Sequence, residues 1–171
     1  MKIQGCYYFS MSIARFEKTS EKQFKEDLCK LFGIDDDSYK NVTIPKRATA
    51  GSAGYDFVTP VSVTLKPGEM KIIPTGIRSY IEEGYVLHIY PRSSLGFKYQ
   101  LVLANTTGII DADYYNAKNE GHIMIALVNK GTKEVTLNAG ERFAQGIFLK
   151  FYTAEEEEVK TLRTGGIGSS N

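Results

Sequence analysis

Tyr99 to Tyr115 read YQLVLANTTGIIDADYY, and this stretch has the pattern of two β-strands joined by a turn. Two apolar runs flank Asn105-Thr106-Thr107-Gly108, a composition that predicts a β-hairpin. Asp111 follows the second run directly, although aspartate is depleted in strands and is rarely buried without a partner. This segment alone leaves two explanations open: a frayed strand end with a solvated carboxylate, or an acid held at a functional site.

The strand pattern extends on both sides of this stretch, from Tyr39 to Tyr152. Val61 to Leu65 alternates between apolar and polar residues, and turn residues recur about every 8–12 residues, as in β-sandwiches and barrels. Gly121 to Val128 is apolar on both faces, which predicts a central strand. About ten strands and no second long helix are predicted, so we expect an all-β fold with two packed layers.

One long helix is predicted, and it precedes the β region. Ser20 to Gln23 has the form of a capping box, and apolar residues follow at helical spacing up to Gly33. The apolar face predicts packing against the domain, with a partner-binding helix as the alternative. We therefore divide the chain into an N-terminal extension with this helix (1–38), a β domain (39–154) and a Gly/Ser-rich C-terminal tail (155–171).

The composition excludes several classes of protein. The 171 residues suit one domain, and 42% hydrophobic residues with a net charge of +1 indicate neither a disordered chain nor a nucleic-acid-binding protein. Cys6 and Cys29 lie outside any CxxC spacing, which supports neither a disulfide framework nor a zinc site and favours the cytoplasm. No run approaches the ~20 apolar residues of a membrane span, so we expect a soluble protein. Met11 is an alternative start to Met1.

Two segments interrupt the strand pattern before the opening stretch. Ala50 to Phe57 is a run of small residues that ends near Asp56, and it is either a flexible loop in which Asp56 holds its own turn or part of a site. In Pro91 to Gly96, Arg92 and two serines can offer a forked guanidinium, hydroxyls and backbone N–H groups to a phosphate. A plain turn with a surface arginine explains this segment equally well.

Two more interruptions follow the opening stretch. Gln145 is the odd residue in an otherwise apolar strand that begins at Arg142 and places Arg142 and Ala144 on one face, although an edge position would explain it just as well. The tail from Arg163 to Ser170 contains glycines that permit a tight backbone wrap, and its N–H groups and serines suit phosphate oxygens. Such a C-terminus is also typical of disorder.

The opening stretch itself can bind a planar base. Strand backbone between Asn105 and Ile110 can present hydrogen-bond donors and acceptors to the edge of such a base. Asp111 lies beside it, and Tyr114 can share a pocket with Asp111 only if the chain bends between them.

These five segments, in this order and spacing, resemble the five sequence motifs of the homotrimeric deoxyuridine triphosphate nucleotidohydrolase (dUTPase) family. The resemblance covers about Val42 to Ser170. It implies an all-β jelly roll of the β-clip type with a short N-terminal helix. It also implies a homotrimer with shared active sites that hydrolyses dUTP to dUMP and pyrophosphate with Mg²⁺.

The resemblance implies a role for each candidate residue. Asp111 would activate water for attack on the α-phosphorus, and Tyr114 would pack on the deoxyribose and exclude a 2′-hydroxyl. Three groups of residues would surround the substrate: Asn105, Gly108 and Ile110 at the uracil; Arg92, Ser93, Ser94 and Gln145 along the phosphates; and the tail residues Arg163, Ile167, Gly168, Ser169 and Ser170, from a neighbouring subunit, closing the site. Asp56 would support the metal region and Arg142 would orient its surroundings.

The magnesium ion would be held by substrate phosphates and water without a direct protein ligand, because Mg²⁺ keeps several of its waters. His88 and His122 are then interpreted as ordinary strand residues.

The chain departs from the family pattern in the tail, where Ile167 takes the place of an aromatic residue that covers the uracil. Because Ile covers a base without stacking on it, and stacking is worth about 1–3 kcal/mol in other settings, we expect Ile167→Phe to raise kcat/KM for dUTP; an unchanged value would contradict this. Two other functions are alternatives: a dCTP deaminase of the same fold, which Gly108 to Tyr114 argues against, and a regulatory or partner-binding protein on a dUTPase frame.

Overall fold

Twelve β-strands and two α-helices form the part of the chain that the computed structural model describes, residues 12–155. The helices are α1 (Glu21–Phe32) and α2 (Ser93–Tyr99), and 3₁₀ turns cover Ser38–Asn41 and Ala112–Asn116. The strands are β1 (Ala14–Lys18), β2 (Lys46–Arg47), β3 (Tyr55–Val58), β4 (Val63–Leu65), β5 (Met70–Pro74), β6 (Ile77–Ile81), β7 (Tyr85–Pro91), β8 (Leu101–Leu103), β9 (Gly108–Ile110), β10 (Met124–Asn129), β11 (Val135–Leu137) and β12 (Arg142–Lys150).

The strands pair antiparallel in four sheets. The largest has the order β2-β3-β12-β7-β9, a second has the order β5-β10-β8, and β1–β6 and β11–β4 form two pairs. Buried side chains from these sheets form one core, which includes Phe57, Leu87, Ile125 and Phe143. The predicted all-β, jelly-roll-like fold is confirmed, and β10 is central in its sheet as its two apolar faces predicted.

Helix α1 begins and ends where its capping residues predicted. The Ser20 hydroxyl accepts a hydrogen bond from the backbone N–H of Gln23 at 3.1 Å, and Gly33 ends the helix in the left-handed region with φ of 66°. Phe24 and Leu28 are fully buried in the domain core, and each such side chain stabilises the fold by about 1.5–3 kcal/mol. The prediction that this helix packs against the domain is confirmed.

Strand β1, which precedes α1, has no counterpart among the predicted strands. It pairs with β6 along its whole length, from Ala14 opposite Ile81 to Lys18 opposite Ile77. Phe16 packs against aromatic rings of the β domain, 5.6 Å from the ring of Phe57. Since three of the five residues are charged, the sequence pattern of this strand is weak. Strand β1 therefore belongs to the same fold as the β domain, and Phe16 packs against its core.

The predicted hairpin around Asn105 to Gly108 is wrong. β8 pairs with β10 in the three-stranded sheet, whereas β9 pairs with β7 in the five-stranded sheet. The connection from Ala104 to Thr107 therefore crosses from one sheet to the other, with Thr106 at a φ of 65°. Turn composition predicted a reversal of the chain correctly, but it does not specify which strands the two arms join, and each three-residue arm pairs with a longer strand elsewhere.

Candidate functional site

A cavity of about 530 Å³ lies between the edge strands β8 and β9. Its walls are mainly apolar side chains from β5, β7, β8 and β10, and the crossing connection contributes Ala104, Asn105 and Thr107. Four of the predicted site residues line it: Asn105, Gly108, Ile110 and Tyr114. A concave apolar site with a few polar groups is the usual form of a small-molecule site.

The position of β9 at the edge of its sheet explains how backbone can contact a ligand there. β9 pairs with β7 on one side, so the peptide groups on its other side are not used within the sheet. Gly108 lies against β7 so closely that an added Cβ would be 3.1 Å from the Cβ of Ile89. The strand edge therefore presents donors and acceptors next to an apolar cavity.

Tyr114 and Asp111 were predicted to share a pocket only if the chain bends between them, and a bend does lie directly after β9. Asp111 is half-buried and extended, with φ of −78° and ψ of 157°, and the 3₁₀ turn Ala112–Asn116 follows it. This turn brings Tyr114 into the cavity wall with 8% of its surface exposed. The Tyr114 hydroxyl donates to the carbonyl of His122 and accepts from the Asn119 amide, both at 2.8 Å. Asp111 itself follows the lining residue Ile110 and is outside the cavity lining.

A second cluster of predicted residues surrounds the carboxylate of Asp56 in β3. Arg142 Nη1 donates to Asp56 Oδ2 at 3.0 Å, and Arg92 Nε lies 3.5 Å from Asp56 Oδ1. Arg92 also donates to the carbonyl of Arg142 at 3.4 Å. Asp56 therefore binds two guanidinium groups from distant segments instead of holding its own turn. The cluster has one more positive charge than negative, which suits an anion.

Gln145 joins this cluster from a central strand. β12 lies between β3 and β7, so the edge-strand explanation for Gln145 is wrong. Its side-chain amide donates to the carbonyl of Pro91 at 3.4 Å, and an added Cβ at Gly54 would lie 2.6 Å from Gln145 Oε1. The predicted alternation is also interrupted, because a register shift between Arg142 and Ala144 leaves both Phe143 and Ala144 fully buried.

The two serines predicted to meet a phosphate lie beside Arg92. Ser93 and Ser94 are exposed and begin α2, which confirms the predicted helical turn. The predicted tail residues lie outside the described residues: Arg163, Ile167, Gly168, Ser169 and Ser170.

The cavity and the arginine cluster lie on opposite faces of the five-stranded sheet. Ile89 of β7 lines the cavity, whereas Asp56 and Gln145 are in register with Tyr90, whose side chain is on the other face. In the antiparallel pair, Gly108 is opposite Ile89 and Ile110 is opposite Leu87, so the chain runs away from Arg92 as it approaches Asp111. Within one chain, the structure therefore brings the predicted residues together in two separate groups.

His122 also contributes to the site, which the sequence analysis did not predict. It lies before β10 and is fully buried, so its interpretation as an ordinary strand residue is wrong, whereas His88 does lie in β7. Its Nε2 accepts from the backbone N–H of Gly76 at 2.8 Å, so its Nδ1 carries the proton and donates to Asp27 at 2.7 Å. Asp27 and His122 are 95 positions apart, and no local pattern connects them.

Across residues 12–155, no three His, Cys, Asp or Glu side chains are grouped so that they could hold a metal ion. Neither of the two described helices is long and apolar enough to cross a membrane.

Comparisons with known proteins identify the chain. The dUTPase family model matches residues 40–171. The deoxyuridine 5'-triphosphate nucleotidohydrolase of Lactococcus lactis subsp. lactis is 47% identical over 137 residues, which are 77% of this chain and 91% of the relative. The protein of the same name from Psychromonas ingrahamii is 40% identical over 139 residues, with 77% and 89% covered.

A solved structure agrees with these relatives. The crystal structure of dUTPase from Streptococcus mutans has a TM-score of 0.65 and 36% identity, covering 82% of this chain and 98% of that one. The fold and these relatives define a hydrolase of nucleotide metabolism with an all-β, jelly-roll-like domain. More particularly, the chain belongs to the dUTPase family.

Proposed function

We propose that this protein hydrolyses dUTP to dUMP and pyrophosphate. The observation that carries the proposal is the cavity at the edge of β9, where backbone from Asn105 to Ile110 and the ring of Tyr114 meet next to Asp111. The named activity of the Lactococcus relative, which this chain covers over 91% of its length, supports the same substrate.

The cavity is the proposed site for the uracil and the sugar. Unpaired peptide groups of β9 would form hydrogen bonds with the edge of the base, and the apolar walls would exclude water from it. Tyr114 would lie against the deoxyribose. Because its hydroxyl is held by His122 and Asn119, the ring has little freedom to move aside for a 2′-hydroxyl.

The arginine cluster is the proposed site for the phosphates. Arg92 and Arg142 share the single carboxylate of Asp56, so the net positive charge of the cluster would attract a triphosphate. Ser93, Ser94 and the amide of Gln145 add uncharged donors. Arginine suits this role because its planar fork can bind two phosphate oxygens at once.

The separation of the two groups supports an active site shared between chains. The cavity and the arginine cluster lie on opposite faces of the five-stranded sheet, so a nucleotide bound in the cavity is poorly placed to contact the arginine cluster of the same chain. We propose that the cavity of one copy meets the arginine cluster of a second copy. The family resemblance implies that the tail with Arg163 and Ile167 comes from a neighbouring subunit, and we propose a homotrimer with shared active sites.

The proposed chemistry is water attack on the α-phosphorus. Asp111 would accept a proton from the water while the water oxygen forms a bond to the α-phosphorus. The bond from the α-phosphorus to the oxygen that bridges it to the β-phosphorus would break, which releases pyrophosphate. The charge that develops on the pyrophosphate would be neutralised by Arg92 and the neighbouring donors.

The described residues fit a magnesium ion that is held by the substrate. The Asp56 carboxylate already binds two guanidinium groups, so its part would be to orient those groups near the ion. When bound, Mg²⁺ would reduce the negative charge of the phosphates and fix their geometry.

The experiment is pyrophosphate release from dUTP, with UTP, dTTP and dCTP as controls. We expect turnover of dUTP with Mg²⁺ and much less of the other three. UTP accepted as well as dUTP would refute the role of Tyr114, and ammonia release from dCTP would replace the proposal with a deaminase. A protein that binds dUTP without turning it over would point to a regulatory function.

A further inference from the structure

The turn that carries Tyr114 is held from outside by the N-terminal strand and helix. We call residues 112–122 the Tyr114 segment and the contacts from Glu17, Ser20 and Asp27 the N-terminal clamp. These three residues precede the part of the chain that the dUTPase family model matches, which begins at residue 40. Each of them contacts a different position of the segment.

The first contact reaches the Tyr114 hydroxyl through one residue. Asp27 of α1 accepts a hydrogen bond from His122 Nδ1 at 2.7 Å, and the carbonyl of the same His122 accepts from Tyr114 Oη at 2.8 Å. Burial opposes ionisation of Asp27, but the hydrogen bonds from His122 and Gln23 outweigh it and leave the pKa of this carboxyl below its usual value. An ionised acceptor thus fixes a fully buried imidazole, whose backbone holds Tyr114.

The second contact completes the cap of α1 with a residue of the segment. In a capping box, the side chain at Gln23 would bond back to the backbone N–H of Ser20. Here both the N–H and the hydroxyl of Ser20 donate to the carboxylate of Glu120, each at 2.7 Å. The start of the helix and the end of the segment are therefore joined by two charge-assisted hydrogen bonds.

The backbone at this point needs such support. Glu120 has a φ of 58°, which is uncommon for a residue with a side chain, and Gly121 follows with 69°. An added Cβ at Gly121 would lie 2.7 Å from the carbonyl oxygen of Tyr114. The chain thus folds tightly back onto Tyr114, and the Ser20–Glu120 bonds stabilise that path.

The third contact holds the residue next to Tyr114. The Tyr115 hydroxyl donates to Glu17 of β1 at 2.7 Å, and the Arg78 guanidinium lies 3.6 Å from the centre of the Tyr115 ring while donating to the Tyr115 carbonyl at 2.7 Å. The segment is therefore fixed at positions 115, 120 and 122, within the turn that presents Tyr114 and after it.

We propose that Glu17, Ser20 and Asp27 are positioning residues for Tyr114, and that the N-terminal clamp sets how strictly the enzyme excludes a 2′-hydroxyl. This inference rests on the proposed function, in which Tyr114 packs on the deoxyribose. Phe24 and Leu28 anchor α1 in the core. The polar contacts to the Tyr114 segment give the helix a second role.

The test compares Asp27→Ala with Asp27→Asn and with Glu26→Ala, an exposed neighbour on the same helix. We expect Asp27→Ala to lower the ratio of kcat/KM for dUTP over UTP by about tenfold, since small displacements of positioning groups have effects of this size or larger. The change should appear mainly as a higher KM for dUTP, with a smaller decrease in kcat. Asn keeps an acceptor for His122, so Asp27→Asn should retain most of the ratio, and Glu26→Ala all of it.

The variant Val135→Ala tests whether a general loss of stability, rather than loss of the N-terminal clamp, lowers the dUTP to UTP ratio. Val135 is buried in the β11–β4 pair, so this variant should unfold at a lower temperature with an unchanged dUTP to UTP ratio. If Val135→Ala lowered the ratio as Asp27→Ala does, the proposal would be overturned.

Amide hydrogen exchange separates this proposal from the proposed function, because it needs no substrate. In Asp27→Ala, exchange should accelerate in peptides from 112 to 122 and stay unchanged in β4 and β11. Unchanged exchange in the segment would refute the clamp. Faster exchange with an unchanged substrate ratio would leave α1 a purely structural element. A wild-type protein inactive on dUTP would refute the proposed function itself, whatever the exchange data show.

Discussion

Asp111 is distinguished from its neighbours by position rather than by residue type. It directly follows Ile110 in the cavity wall, whereas Asp113, two residues on in the 3₁₀ turn, is exposed. We expect Asp111→Asn to lower kcat for dUTP by about 10²–10⁴, the usual contribution of a general base, with dUMP affinity retained. Asp113→Asn is the matched control and should keep near wild-type kcat. Steady-state pyrophosphate release and calorimetry with dUMP measure the two quantities, and equal losses in both variants would contradict the assignment.

Gly54 has a role that depends on the absence of a side chain. A Cβ there would lie 2.6 Å from Gln145 Oε1, whereas nothing lies within 4 Å of a Cβ at Gly51 in the same loop. Gly54→Ala should therefore displace the Gln145 amide from the proposed phosphate site. We expect KM for dUTP to rise by about tenfold, as for a lost hydrogen bond to a charged group, and Gly51→Ala to leave it unchanged. Initial-rate kinetics decide the matter, and matching KM values for the two variants would show that Gln145 is not needed.

At the scale of elements, the cap of α1 makes the fold sensitive to acid. The backbone N–H and the hydroxyl of Ser20 lower the pKa of Glu120 below its usual value. A carboxyl with a lowered folded pKa stabilises the native state above its unfolded pKa, about 4.3 for glutamate, and this stabilisation is lost as the pH falls through the folded value. Glu120→Gln should thus lower the Tm at pH 7 by about 2–4 °C.

The same variant should become equivalent to wild type in acid. The Tm difference should shrink as the pH is lowered below about 4.3, the unfolded pKa of glutamate, which thermal unfolding at a series of pH values measures. Glu83→Gln, at an exposed position, is the control and should follow wild type throughout. A Tm difference for Glu120→Gln that is independent of pH would mean that ionisation of Glu120 is not what stabilises the cap.

The elements that the sequence predicted are those whose signals are local. Ser20 and Gly33 define α1 because each cap acts within a few residues of itself, and the apolar faces of β10 predicted its central place. The arms of the supposed hairpin were assigned wrongly, because their partners β7 and β10 are chosen by packing between sheets. The hydrogen bonds from Ser20 to Glu120 span 100 positions, so sequence spacing contains no trace of them.

The sequence predicted which residues form the candidate site, but not how they are arranged in space. Asn105, Gly108, Ile110 and Tyr114 do line one cavity, and Asp56 does meet two arginines. Motif order alone cannot tell that these groups lie on opposite faces of the five-stranded sheet, because that depends on strand register. The support of Tyr114 by His122 and Asp27 was missed for the same reason, since it exists only in the folded chain.

For the whole molecule, the two-part site makes a prediction about assembly. If Asp111 and Arg92 act on the same substrate from different copies, then Asp111→Asn and Arg92→Ala chains should complement each other. Each homogeneous variant should be nearly inactive, because every site lacks one group. In a randomly mixed oligomer, a site works when it takes Asp111 from one variant and Arg92 from the other, which happens for about one quarter of sites.

For the measurement, the two variants carry different affinity tags, are unfolded together and refolded, and are purified over both tags in turn. Sedimentation then establishes whether each particle contains three chains. Recovery of about a quarter of wild-type activity is expected for random mixing, and slightly more after double-tag selection because homogeneous particles are removed. Mixing without unfolding is the control and should remain inactive while the chains do not exchange. If doubly tagged oligomers are inactive, both groups act from one chain, and one substrate must then contact groups on both faces of the five-stranded sheet.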